Sequence, residues 1–510
     1  MADIILATAN ARFSHTSIAL RYLKANLGPL AERAEIMELT IDERAADIAE
    51  KILGANPKIL GLSVYIWNVQ LLNDVVAIIK NVRPEVVLVL GGPEVSFEID
   101  EQEITRGADY VIAGEGEMAF ARLASDLLGG HRPADKIVSE TLSDLATLAL
   151  PYDLYDDRDI DNRVVYVEAS RGCPFGCEFC LASLDKKVRK FPEEPFLQAL
   201  EDLWNRGARR FKFVDRALHL AVTQNLLDFF LARVDEGVFV HFELVPDRLP
   251  EKLFDILKQF PAGAVQLEAG LQTTAEDVAM RIGRRQDTEK ALNAINRLRT
   301  ETGVHLHTDL VVGLPGETLE SFGHGFDRLI STRPHEIQVG ILKLLRGAPI
   351  RRHDDEWGMV YSTRPPYEIL QNRLIDFSAM QRLKRFSRYF DLVFNNGNFA
   401  TSAQHLWGNR SPFEAFMNFA DWLFAKTGRT SAIALNRLAE LIFEYMTTVL
   451  GTGSAEAANR LFADYARVGR KGLPGTVGAH VTRRAQATTG EADGSLPPRQ
   501  RRHAAIKTNS

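Results

Sequence analysis

Cysteine is scarce in this chain: three in 510 residues, all between positions 173 and 180. With no other thiol, a disulfide framework is excluded, and a single disulfide would leave one cysteine over and need an oxidising compartment. Long apolar runs are missing too. The stretches 86–90 and 310–314 are far shorter than the roughly 20 residues of a membrane-spanning helix. Nothing at the N-terminus reads as a signal peptide, so a cytoplasmic protein is expected. The formal net charge of -6 gives no global attraction to nucleic acid or an anionic membrane, and neither is expected as a partner. What remains is an ordinary globular composition with room for two or three domains.

The three cysteines stand as Cys173-Pro174-Phe175-Gly176-Cys177-Glu178-Phe179-Cys180, directly after the apolar run Val164–Val167. Three thiolates in so short a loop can surround one object the size of an iron–sulfur cube, with Gly172, Pro174 and Gly176 letting the backbone turn. A missing fourth cysteine leaves one iron open to an outside ligand, which makes a reactive centre. Zinc would want a fourth ligand, and no histidine lies in the loop; buried thiols also serve as plain packing.

Strand and helix alternate over residues 1–134. Strands are expected at 4–7, 34–39, 59–63, 86–90 and 110–113, and helices at 17–26, 42–54, 68–81 and 99–106. This pattern predicts a doubly wound, Rossmann-like α/β domain. Such domains bind ligands past the carboxyl ends of their strands, where Ser63, Gly91-Gly92-Pro93 and Gly114–Glu117 fall; tight turns alone would also explain these residues. Residues 135–160 read as a linker. Over 161–345 six further strand–helix units predict a partial β/α barrel, with strands at 164–169, 209–214, 238–244, 264–269, 305–313 and 336–342. Residues 346–468 read as a helical C-terminal domain. Its stripe of Phe413, Phe416, Phe419, Trp422 and Phe424 is the pattern of a buried face. A disordered tail is expected from 469, with Arg499, Arg501 and Arg502 as a basic, solvated end.

The Cys-x3-Cys-x2-Cys loop resembles that of the radical S-adenosylmethionine (SAM) superfamily. The resemblance implies a [4Fe–4S] cluster on Cys173, Cys177 and Cys180, SAM chelating its open iron, and one-electron cleavage of SAM to a 5′-deoxyadenosyl radical. It implies an electron donor such as flavodoxin or ferredoxin. It also implies SAM contacts: Phe179 near the adenine, Asp215 in place of the family's Gly-Gly-Glu, Glu268 and Gln272 at the ribose and methionine parts. Gly313, in Val311–Glu317, matches the fifth-strand glycine turn against which the adenine lies. Glu243 and Arg189 are further candidates for SAM or substrate, or ordinary ion-pair partners.

Before such a loop, the first domain resembles the cobalamin-binding domain of B12-dependent radical SAM proteins, and the helical region resembles the extension on one uncharacterised branch of them. Ser63, Gly91 and Gly92 match the positions beside which the cofactor's nucleotide tail inserts. The Asp-x-His-x-x-Gly motif of the wider cobalamin family is replaced by Asn10-Ala11-Arg12-Phe13-Ser14-His15. No axial histidine carries over, and His15 reads as a loop residue. The resemblance implies methylation of an unactivated carbon of a small molecule, with cyclisation or rearrangement as the alternative. A cobalamin sensor or electron-transfer module is the non-enzyme reading. Methylthio transfer would need three more cysteines.

Overall fold

The computed structural model describes residues 2–139, 142–216, 220–470, 472–482 and 497–504, with the side chains of 220–223 left aside. Its fold is α/β, with a Rossmann-like first domain, a parallel-sheet second segment and a helical C-terminal region. The chain packs as two units: Met1–Arg216 with Lys343–Arg352 and Tyr361–Glu368, and Ala217–Leu342 with His353–Val360 and Ile369–Ser510. No helix among the described residues is long and apolar enough to cross a membrane.

In the first unit a parallel sheet runs β2-β1-β3-β4-β5-β6, from β1 (Ile4–Asn10), β2 (Ala34–Thr40), β3 (Ile59–Ser63), β4 (Val87–Gly91), β5 (Tyr110–Ala113) and β6 (Ile137–Ser139). Alternate residues point to opposite faces, and both faces are apolar, which is why these strands read as unbroken hydrophobic runs. Ile5, Ala7, Leu60, Leu62, Leu88 and Leu90 share one core with helices α2 (Ala45–Gly54) and α3 (Val69–Val82). Ile4, Leu6, Ile59, Val89 and Ile112 share the other with α1 (Ile18–Ala25) and α4 (Glu117–Leu128). Strand β1 continues to Asn10, where a turn was expected from Thr8. The polar residues are bonded within the fold: the Thr8 hydroxyl donates to the Ser63 carbonyl (2.8 Å) and Asn10 Nδ2 to Glu38 Oε1 (2.9 Å).

The expected linker is also structured. It supplies β6 to the sheet and helix α5 (Asp157–Asn162), started by a reciprocal cap between Asp156 and Asp159. Here four buried charges close a square. Arg21 Nη2 lies 2.8 Å from Glu38 Oε2 and 2.5 Å from Asp159 Oδ2; Arg163 Nη1 lies 2.8 Å from Glu38 Oε2 and 3.0 Å from Asp159 Oδ1. Burial alone would raise the Glu38 carboxyl, but Arg21 and Arg163 outweigh it and hold it below its ordinary value. The Thr16 hydroxyl donates to the Val164 carbonyl (3.0 Å) and the Val164 amide to the Ser14 carbonyl (3.1 Å), fixing the entry to β7 (Val165–Val167). Strand β7 pairs in parallel with β8 (Arg210–Phe213).

The segment Lys343–Arg352, expected to lead into helices, instead runs over the first unit. Arg346 pairs with Glu94 (3.2 Å) and Glu98 (2.8 Å), and the Tyr367 hydroxyl donates to Glu94 (2.7 Å). Gly347 lies against the Phe97 ring, where a Cβ would come within 2.4 Å.

The second unit holds four parallel strands, β9 (Phe239–Leu244), β10 (Val265–Gln272), β11 (His305–Val312) and β12 (Glu336–Ile341), paired in that order. All six strands read for the barrel are therefore present in the chain. Helices α6 (Phe377–Phe390) and α7 (Pro412–Thr427) pack through Phe386, Phe390, Phe413 and Phe416, the aromatic stripe acting as core. Of the tail expected from 469, residues 471, 483–496 and 505–510 lie outside the described residues. Within it, Pro498–Ala504 form a helix with Gln500 and His503 buried. Its anchors are polar and so escape a hydrophobic pattern: Arg499 pairs with Glu336 (3.0 Å), and His503 Nε2 stands 2.8 Å from the Asn395 carbonyl. Arg499 is thus an ion-pair partner and not part of a free basic end.

Removing one corner of the buried square leaves both arginines sharing a single carboxylate. Asp159→Ala is expected to lower unfolding free energy by about 3–5 kcal/mol, read from the urea midpoint of the full chain.

Candidate functional site

The cysteine loop is closed at its base by a two-residue antiparallel pair, Ser170–Arg171 with Arg189–Lys190. The Cys173 amide donates to the Asp185 carbonyl (2.8 Å). Gly172 has φ +91, and a Cβ there would come within 2.5 Å of the Lys187 carbonyl, so only glycine allows this approach. Ser183 Oγ stands 2.8 and 2.7 Å from the Cys177 and Cys180 carbonyl oxygens. On the outer side Arg352 forks onto Glu178 (2.6 and 2.8 Å), and the Ile350 amide donates to the Glu178 carbonyl (3.0 Å).

The three thiols form no disulfide; Cys173 and Cys177 are buried and Cys180 is half-buried. Burial is the main cause that raises the Cys173 thiol, the nearby Cys180 and Cys177 adding to it and the Phe175 backbone opposing it. Among the described residues no group of three His, Cys, Asp or Glu side chains is arranged to hold one metal ion. That does not bear on a four-iron cube, in which each thiolate binds its own iron and the sulfurs stand further apart.

Also within the first unit, a cavity of about 400 Å³ opens at the carboxyl end of the first sheet. Ser63, Gly91 and Gly92, the residues matched to the cobalamin tail, all line it, as do Gly114–Glu117. Gly92 has φ +112, and a Cβ would meet the Val64 carbonyl oxygen at 2.5 Å. This glycine is what lets β4 end against the turn after β3. The cavity's mouth is charged. Arg171 Nη2 reaches Glu117 (2.7 Å) and Nε reaches Glu168 (3.0 Å), and Arg189 joins Glu115 (2.5 Å) to Asp185 (2.9 Å). Arg189 therefore takes the ion-pair role. Burial pushes Glu168 up to about 7; Arg171 opposes this and Asp215 adds to it. No histidine is among the lining residues; His15 packs its ring edge on Tyr166.

Phe179 is half-buried in the loop. Asp215 accepts from the Ser170 hydroxyl (2.5 Å) and the Ala169 amide (3.0 Å), and burial raises its carboxyl. Its oxygens thus brace the strand end that leads into the cysteine loop, a role the sequence did not suggest.

In the second unit, Glu243 and Glu268 are direct neighbours on β9 and β10. Glu268 Oε2 lies 3.1 Å from His241 Nε2, and the next strand brings His307 to within 3.2 Å of Asp309. These histidines and Asp309 were not singled out from the sequence; their signal was alternation along strands, spaced two residues apart. Gln272 ends β10 at φ +70, a left-handed backbone uncommon outside glycine, beside a register shift at Gly270. Gly313 has φ +90, but the space on its Cβ side is filled by Ile369 Cγ2, 2.7 Å from where a Cβ would stand, and by Met380. Its bare backbone serves this close packing, where an adenine was expected to lie. Four residues on, Glu317 is buried and accepts from the Thr273 hydroxyl (2.5 Å); burial pushes it up to about 8.

Comparison with known proteins matches residues 4–124 to the B12 binding domain, 167–329 to the Radical SAM superfamily and 355–489 to a protein of unknown function, DUF4080. The chain is 27% identical to the cobalamin-dependent radical SAM methyltransferase TokK of Streptomyces tokunonensis, over 58% of this chain and 48% of that protein. It is 26% identical to the 2-(S-pantetheinyl)-carbapenam-3-carboxylate methyltransferase of Streptantibioticus cattleyicolor, over 64% of this chain and 52% of the relative. It thus spans about half the length of these two relatives. Among solved structures, the cobalamin-dependent SAM radical enzyme OxsB with aqua-cobalamin bound shares the fold at a TM-score of 0.60, with 13% identity, covering 91% of this chain and 80% of that one.

Two outcomes follow from the local geometry. Gly92→Ala forces a strained backbone and a clash with Val64, and is expected to cost roughly 1–3 kcal/mol in urea unfolding. Glu317 has an ordinary value of 4.5 and a folded value of about 8. A carboxyl raised by folding binds more protons folded than unfolded, so its contribution to stability declines as pH rises across that interval. Glu317→Gln is expected to flatten the fall in Tm between about pH 5 and pH 8.

Proposed function

We propose that this chain, a protein that joins a B12-binding domain to a radical SAM domain, is an enzyme that cleaves SAM reductively and methylates an unactivated carbon of a small molecule. The observation that carries this reading is the cysteine loop: every cysteine of the chain, none in a disulfide, within eight residues on a base held by Gly172, Asp185 and Ser183. When bound, a [4Fe–4S] cluster supplies the electron that splits SAM to a 5′-deoxyadenosyl radical, and cobalamin carries the methyl group.

The residues of the chain hold and orient these groups. Cys173, Cys177 and Cys180 are the thiolate ligands. Arg352 and Ile350 fix the lip of the loop through Glu178, and Asp215 fixes its root through Ser170 and Ala169. Ser63, Gly91 and Gly92 line the cavity that would seat the cobalamin tail. Phe179, Asp215, Glu243, Glu268, Gln272 and Gly313 are the SAM contacts that the resemblance to the radical SAM superfamily implies. An external one-electron donor such as flavodoxin or ferredoxin completes the scheme. Cyclisation or rearrangement would use the same residues and differ only in the fate of the SAM methyl group.

Anaerobic reconstitution with iron and sulfide, followed by reduction in the presence of SAM, is expected to yield 5′-deoxyadenosine, with none from Cys177→Ala. Equal amounts from both proteins would sink the enzyme reading and leave a sensor or electron-transfer module. Methyl-labelled SAM separates the enzyme readings: label in a carbon-bound methyl of the product supports transfer, and unlabelled product supports cyclisation or rearrangement.

A further inference from the structure

The cavity in the first unit is polar at one end only. Ser63, Gly91-Gly92, Ser96, Glu115, Glu117, Glu168 and Arg171 belong to strand ends and loops at its mouth. Between sheet and helices its inner lining is Val89, Ile112, Phe120 and Leu23, with Gly61 contributing no side chain. The backbone groups there are committed to the ladder, since Gly61 pairs with Val89 across β3 and β4 and Gly91 with Ile112 across β4 and β5. Tyr22 also lines the cavity, but its ring stacks on Phe191 under the Arg171 guanidinium, and its hydroxyl faces Tyr152 and Glu168 at the mouth. Tyr65 also lines the cavity, with its hydroxyl beside Ser63, and the Tyr22 hydroxyl makes no hydrogen bond; the polar side chains of the lining thus gather toward the mouth, and the inner residues Val89, Ile112, Phe120 and Leu23 offer a guest no side-chain donor or acceptor.

Resting on the cobalamin reading above, the geometry points to a selective site: this chain takes corrinoids whose nucleotide tail ends in an apolar benzimidazole and rejects those ending in a purine. The two bases present the same imidazole edge toward the ribose, which lies at the polar mouth. They differ at the far edge, which enters first and sits deepest. Dimethylbenzimidazole carries a methylated benzene ring there, and Val89, Ile112 and Phe120 replace water around it at a gain. Adenine carries ring nitrogens and an amino group, which lose their water and find no partner; one buried unsatisfied group of this kind weakens binding by roughly tenfold or more. Val89, Ile112 and Phe120 are the specificity-determining residues.

The test uses the full chain and equilibrium titration followed by the visible corrin spectrum, with three probes: hydroxocobalamin, its adenine-tailed analogue, and cobinamide, which has no nucleotide tail. Cobalamin is expected to bind at least tenfold more tightly than either of the others. Val89→Thr, which offers a hydroxyl at nearly unchanged volume, is expected to narrow the gap between cobalamin and the adenine analogue. Equal affinity for the two tailed corrinoids would overturn the selectivity. Equal affinity for cobinamide and cobalamin would show that the tail does not enter the cavity, and overturn it as well. An unchanged ratio in the Val89 variant would overturn the assignment of that residue. Failure of all three probes to bind is a different result: it would remove cobalamin from the proposed function itself.

Discussion

Two arginines and two carboxylates buried together are the constraint from which the first unit takes its shape. None of the four can be left alone without the desolvation cost of an unpaired ion, so Arg21, Glu38, Asp159 and Arg163 must meet at one place. They come from the first helix, the second strand, the helix before the cysteine loop and the residue that ends it. Their meeting therefore sets where β7 begins, and Cys173 follows shortly after β7 along a loop whose base is hydrogen-bonded. The position of the thiols relative to the cavity is inherited from a charge arrangement that touches neither.

The strands were legible because their burial is simple. A strand covered on both faces needs apolar residues throughout, and Ile4–Ala7, Ile59–Leu62 and Val87–Leu90 show just that. Segments held by polar or ionic contacts were not legible, since pairing partners far apart in sequence leave no periodic trace. The linker containing β6 and Asp159 is one such segment, the Arg346 segment a second and the helix at 498–504 a third. At the site, the cysteines and Ser63, Gly91 and Gly92 could be read because the backbone or the thiol chemistry itself demands those residue types. Gly313 shows the ambiguity of that signal: a glycine reports that something comes close, and on its Cβ side that neighbour is Ile369. Asp215 and Arg189 are carboxylate and guanidinium groups whose partners only the fold reveals.

The two halves of the chemistry are built from unlike material. Around the cavity, apolar walls and a charged rim suit a ligand that is itself apolar at one end and polar at the other. Along β9 to β11 the picture is reversed, with His241, Glu243, Glu268, His307 and Asp309 set out at alternate positions. Burial raises the Asp309 carboxyl above its ordinary value; it would lower His307, but Asp309 outweighs it and raises His307 to about 9. Such a surface suits a polar guest with charge to share.

The excursion of residues 343–352 into the first unit bears on how proteins of this architecture can be taken apart or recombined. A gene cut where the last strand ends would give a fragment whose cysteine loop lacks the Arg352 grip on Glu178 and whose Glu94 and Glu98 face no arginine. Exchanging the helical region for that of a relative would carry those contacts away with it. A junction placed after Glu368 would leave all of them in place, so the usable boundary of the first unit lies well past the last strand.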